Sequence, residues 1–201
     1  MGATDGSPGR RLYNLKLTMN QPTQTELTAL RDECYKIACE HGWHDVERSE
    51  RHFLCLVISE LSEAVEADRI DRHADLAKFN EAINGPECEI AFKYYIKDTV
   101  EDELADAAIR ILDLAGANGD TFPSFSSEPY KRDEGMCDYF KSKSFTESIY
   151  EICDDIFTTG YDVALYDLFV LAEVMGFDLM EHIRLKMEYN KTRERLHGKK
   201  Y

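Results

Sequence analysis

HFLCLVISELSEAVEADRIDR, residues 52–72, decides the fold class. At about 100° per residue, Phe53, Leu56, Val57, Ala64 and Ala67 share one face of a helix. Glu60 stands in the middle of that apolar face and Glu63 at its edge. A carboxylate is seldom buried without a partner, because ionisation there forfeits its hydration. The stretch therefore predicts a core-facing helix, about 47–70, carrying a charge that needs something to bind.

The surrounding sequence carries the same helical period. PTQTELTALRDECYKIACEHG opens on Thr cap candidates and stops at Gly42. A shorter helix is expected over 75–83, closed by the turn sequence NGPE. TVEDELADAAIRILDLAGANG begins like a capping box, with Asp102 three residues after Thr99, and ends in glycines. Residues 120–142, rich in Pro, Ser and Gly, predict irregular chain. Helical patterning returns in FTESIYEICDDIF and DVALYDLFVLAEVMG, then in a last helix capped by Asp178. Neither period-2 alternation nor a βαβ rhythm is present. The expected fold is an all-α helical bundle, one domain over 1–201 with a loose segment at 1–20.

Composition excludes several function classes. A net charge of −15 argues against a nucleic-acid polymer as partner, since phosphate backbones are held by basic patches. A small phosphorylated ligand stays open, provided metal ions or local Lys and Arg hold it. FLCLVI at 53–58 is among the longest apolar runs and is far too short to cross a bilayer. The N-terminal stretch lacks the apolar region of a secretory signal. The six cysteines form no CxxC pair, and Cys55 in its apolar helix reads as a buried free thiol. A reduced cytoplasm is the expected setting.

Two acidic pairs stand out, Glu60 with Glu63 and Glu103 with Asp106. A spacing of three puts each pair on one helical face. Random placement of 39 acidic residues in 201 gives about seven such pairs, so context must separate signal from chance. Glu60 has that context. The second helix leaves two readings open, because Asp102, Glu103, Asp106, Arg110 and Asp113 form a strip that suits either solvent or a site. Were the two helices to face each other, four carboxylates would converge and demand a cation. All-oxygen ligation suits Mg²⁺ or Mn²⁺. A di-iron bundle wants two Glu-x-x-His motifs, whereas the chain offers one, Glu194 with His197, in its last residues.

Three stretches together resemble a known family. HGWHDVERSERHFLCLVISELSEAVEADR, VEDELADAAIRILDLAG and GFDLMEHIRLKMEYNKTRERLHGKK, about half the chain, are similar to the MazG-like nucleoside triphosphate pyrophosphohydrolases of the all-α superfamily. The resemblance implies that Glu60, Glu63, Glu103 and Asp106 hold Mg²⁺. It implies cleavage of a nucleoside triphosphate between its α- and β-phosphates, and one carboxylate, for which Glu63 is the candidate, could take the proton from the attacking water. It further implies phosphate contacts from Lys186, Asn190 and Arg193 and a homodimer or higher homo-oligomer; Arg110, on the second acidic helix, either reaches the same site or pairs with Asp106 or Asp113. Two alternatives stay open: a pyrophosphohydrolase of phosphoribosyl-ATP or another nucleotide derivative, and a non-catalytic nucleotide- or metal-binding regulator.

The chain departs from that family in two places. The interval between Glu63 and Glu103 is longer than usual. Gly119 and Gly176 both look like the link that enters the final helix, which makes 120–175 an insertion with a loop and two extra helices. Trp43, the lone tryptophan, reads as a packing anchor, with His41 and His44 as surface residues beside it.

Overall fold

The computed structural model describes residues 22–83, 88–123, 125 and 134–200. The loose segment expected at 1–20, the NGPE turn and most of the loop at 120–133 lie outside those residues. Helix α1 (Gln24–Glu40) starts at Thr23, whose hydroxyl accepts from the Glu26 amide while the Glu26 carboxylate accepts from the Thr23 amide. Leu27, Leu30, Cys34 and Ile37 recur at helical spacing and are buried. Gly42, with φ +80°, then turns the chain where a side chain would strain the backbone.

Helix α2 (Glu50–Arg69) buries Val57, Glu60, Leu61, Ala64 and Ala67. Cys55 is exposed, contrary to the sequence reading, because it lies about 200° around the helix from Val57. Two short helices follow, α3 (Leu76–Ala82), capped by Asp75, and α4 (Cys88–Tyr95). The sequence reading missed α4, which spans barely two turns. Helix α5 (Val100–Asn118) begins at the Thr99 cap and ends at Gly119 in the left-handed region.

Beyond it come α6 (Glu134–Lys141), α7 (Phe145–Thr158), α8 (Tyr161–Met175) and α9 (Leu179–Lys191). Helix α6 corrects the expectation of irregular chain through 142. Its amphipathic stretch is too short to stand out from its Pro- and Ser-rich approach, but Phe140 is buried in the core. The 120–175 segment thus contributes three helices among the described residues, one more than expected.

Helix α5 is the axis of the bundle, packed against α1, α2, α8 and α9. Ala105, Ala107, Ala108 and Ala115 are fully buried, and their small side chains let neighbouring helices approach closely. Neighbours on several sides leave little of α5 exposed, so most of its acidic strip is enclosed by protein, with Asp106 and Arg110 left part-exposed. A smaller cluster of Phe79, Ala91, Phe92, Ile96 and Tyr189 joins α3 and α4 to α9. Phe92 stacks on Tyr189 with centroids 4.5 Å apart. The described residues contain no strand, and none of their helices is long and apolar enough to cross a membrane.

The α7–α8 pair carries one misfit charge. Asp167 is buried, and its Oδ1 has no hydrogen-bond partner. Burial, reinforced by the neighbouring Asp155 and Glu151 carboxylates, pushes its pKa up to about 8. Between the ordinary carboxylate range and that value the folded chain holds a proton that the unfolded chain has released. Stability therefore falls as pH rises through this window, by about 1.4 kcal/mol per unit for this group alone. Asp167→Asn is expected to raise the urea midpoint at pH 7.5, with a gain that shrinks as pH approaches 4. A variant no more stable than the parent at pH 7.5 refutes this.

Candidate active site

Helices α2 and α5 pack along each other, and Glu60 faces α5. Its Oε1 accepts from the Arg110 Nε at 2.6 Å and lies 2.5 Å from the other guanidinium nitrogen. Arg110 is therefore the side chain that Glu60 binds, rather than Asp106 or Asp113 being the partner of Arg110. Carboxylate oxygens of Glu60, Glu63 and Glu103 also come within 4.8 Å of one another. Glu60 and Glu103 are buried, whereas Glu63 is exposed at the open side.

These carboxylates repel. Burial and the charge of Asp106, with Asp102 and Glu60 adding, push Glu103 up to about 9 against the pull of Lys186. Burial and Asp106 likewise raise Glu60, against Arg110. The free protein thus relieves the crowding by keeping protons. A divalent cation would relieve it by another route, and the all-oxygen donor set suits a hard ion. Asp98, Asp102 and Glu103 form a second group of converging oxygens. There Asp102 Oδ2 already accepts from the Asp98 amide at 2.9 Å and from Lys186 at 2.7 Å.

Asp106 belongs to neither group. Its Oδ2 lies 2.8 Å from Lys186 Nζ. Burial opposes its ionisation, but Lys186, aided by Arg110 and Arg193, holds its pKa below the usual range. Lys186 is itself buried, above the Phe92 ring. Burial works against its charge, yet Asp106 and Asp102 outweigh that and hold its pKa above the usual lysine range. Its ammonium is committed to two carboxylates, and it does not line the neighbouring cleft.

That cleft, about 810 Å³ with its open mouth included, lies between the end of α1, the start of α2, α5 and α9. Asp106 and Arg110 line it, and Arg110, through its ion pair with Glu60, joins it to the acidic trio, none of whose members lines the cleft. Asn190 and Arg193 line it as well, and Arg193 also sits over the Tyr189 ring. Trp43 and Phe53 form aromatic wall, with the Arg110 guanidinium 5.6 Å from the Trp43 centroid. Trp43 is a packing anchor in that it is buried, but it also faces the cleft.

Sequence reasoning missed Arg48, Lys199 and His197, all of which line the cleft. Arg48 precedes α2 and the other two lie in the last turn of chain, where no periodicity marks them. His41 and His44 are not surface residues. His41 lies with Nδ1 2.8 Å from the Ile37 carbonyl and Nε2 3.1 Å from the Arg193 carbonyl, donating to whichever its tautomer faces, while His44 Nε2 bonds Asp113 at 2.7 Å and its ring stacks on Phe53. No family model, curated protein or solved structure matches the chain.

Proposed function

We propose that this chain is a Mg²⁺-dependent pyrophosphohydrolase that cleaves a nucleoside triphosphate between its α- and β-phosphates. One observation carries the reading. In a chain with net charge −15, a cleft gathers Arg48, Arg110, Arg193 and Lys199, and its Arg110 is ion-paired with Glu60 of a carboxylate trio. Acid for a cation and base for an anion, side by side, is what a metal-bound polyphosphate requires.

Glu60, Glu63 and Glu103 are the residues that would hold the ion. Such an ion supplies charge neutralisation on the phosphates and a water of lowered pKa. Arg48, Arg110, Arg193 and Lys199 offset the phosphate charge, which grows on the pyrophosphate leaving group. Glu63, the exposed member of the trio, takes the proton from the attacking water. Trp43 and Phe53 offer flat apolar surface to a base. Asp106, kept ionised by Lys186, is the fourth carboxylate at the mouth of the site.

The Arg110–Glu60 pair favours one second reading. It neutralises part of the acidic group internally, as would suit a regulator that binds nucleotide without turning it over. Incubation with Mg²⁺ and a panel of ribo- and deoxynucleoside triphosphates, with products separated by chromatography, decides the matter. Nucleoside monophosphate plus pyrophosphate is the expected outcome. Orthophosphate plus diphosphate overturns the reaction class, and nucleotide binding without turnover supports the regulator.

A further inference from the structure

We propose that His197, on the C-terminal turn, is a specificity residue of the cleft whose ring Nε2 hydrogen-bonds the base of a bound nucleotide. The inference rests on the nucleotide reading above. It starts from an atom without a partner. His197 lines the cleft, and its Nε2 is shut off from solvent yet makes no hydrogen bond. A buried polar atom left unpaired costs the protein stability, and a ligand atom that completes the bond recovers it. His41 next to it has a carbonyl oxygen within hydrogen-bond distance of each ring nitrogen, so whichever nitrogen carries its proton has an acceptor.

The ring is held in place. It meets the Trp43 ring edge-on at 5.5 Å and the His41 ring at 5.3 Å. The turn Arg195–Gly198 carries Leu196 and His197 at φ 51°, a left-handed conformation that side chains with a Cβ disfavour. The Leu196 amide donates to the His41 carbonyl at 2.9 Å, and Arg193 donates to the His197 carbonyl at 3.3 Å. Strain of this kind persists where the surroundings over-determine it, and it gathers at ligand sites. The outer tie, Arg195 to Asp45, is an exposed ion pair and therefore weak. Because Nε2 is enclosed, a ligand atom meets it only if the turn shifts outward, and this exposed tie is the contact such a shift would break.

The chemistry selects a base over a phosphate. Burial, with Arg193, His41 and Arg110 around it, lowers the His197 pKa to about 3 against the pull of Asp106. A neutral imidazole has one N–H and one lone pair, which match the ring nitrogens and exocyclic groups of a base. The cleft's guanidinium and ammonium groups already serve phosphate. Asn190 Oδ1, also buried and unpaired on this cleft, is a second polar atom for the same edge.

Calorimetric binding of nucleoside monophosphates, compared with ribose 5-phosphate, tests the assignment without metal or turnover. His197→Gly is the variant of choice, since glycine accepts the left-handed backbone and removes only the ring. It is expected to weaken nucleotide binding about tenfold, leave ribose 5-phosphate unchanged, and narrow the affinity differences between bases. His197→Gln, whose amide nitrogen reaches near Nε2, should restore part of the loss. Equal weakening for both ligands would make His197 a structural residue and overturn the inference. So would unchanged discrimination between bases, or wild-type protein that binds nucleotide no better than ribose 5-phosphate. Cleavage of triphosphates with His197-independent binding sinks this inference alone. His197-dependent binding without cleavage sinks the enzyme reading alone.

Discussion

Glu103→Gln is expected to abolish the stabilisation of this protein by Mg²⁺ and to lower turnover by about a hundredfold or more. The turnover loss follows from removing a ligand that supports several kcal/mol of transition-state charge stabilisation. The substitution is gentle in the metal-free state, because Glu103 keeps its proton up to about 9 and the amide copies the neutral carboxyl. Metal-free wild type should lose stability as pH rises from the ordinary carboxylate range towards that value, since the folded state retains a proton that the unfolded state gives up. The variant lacks this slope. In wild type, Mg²⁺ must displace the proton, so its affinity should climb about tenfold per pH unit until it levels off near the Glu103 pKa. Saturation at about 100 Kd adds roughly 2.7 kcal/mol to wild-type stability, and the variant should gain none. Glu63→Gln makes the companion arm. Glu63 is exposed, so its loss should leave folding within about 0.5 kcal/mol while turnover falls far more than nucleotide binding. A Glu103→Gln protein still stabilised by Mg²⁺ would remove the trio as the metal site.

Lys186→Met is expected to cost about 3–5 kcal/mol of unfolding free energy at pH 7. Lys186 Nζ is the partner of Asp102 at 2.7 Å and of Asp106 at 2.8 Å, and all of the ammonium is withdrawn from solvent. Methionine fills similar space but leaves two carboxylates facing each other without a cation. The carboxylates respond by taking up protons, so the deficit should shrink on acidification from pH 7 to pH 5. Urea unfolding at both values reads the sign directly. A loss under about 1 kcal/mol, together with weakened phosphate binding, would instead return Lys186 to the phosphate role that the family resemblance implies. Because Lys186 is buried behind the cleft, the predicted primary effect is on folding.

The same geometry explains where sequence reasoning reached and where it stopped. Helical period placed α1, α2, α5, α7, α8 and α9 because each repeats an apolar face over three turns or more, and capping residues such as Thr23, Thr99 and Asp178 marked their starts. Helices α4 and α6, each eight residues long, span too few turns for a period to emerge, whereas α3, shorter still, was marked by the turn sequence that closes it. Glu60 was legible as a charge in need of a partner, since its neighbours on the helix declared its burial. The partner was not. Arg110 is 50 positions away, and only the packing of α2 on α5 brings it to Glu60.

The all-α class, the acidic pairs and the longer helices were thus legible in the sequence, because each follows from neighbours within a turn or two. Tertiary structure alone decided that most of the polar strip of α5 is enclosed, that Lys186 turns inward to Asp102 and Asp106, and that Arg48, His197 and Lys199 meet Arg110 and Arg193 in one cleft. Electrostatic interaction acts through space. Which charges meet depends on how the helices pack, and that is not written in the periodicity of any one of them.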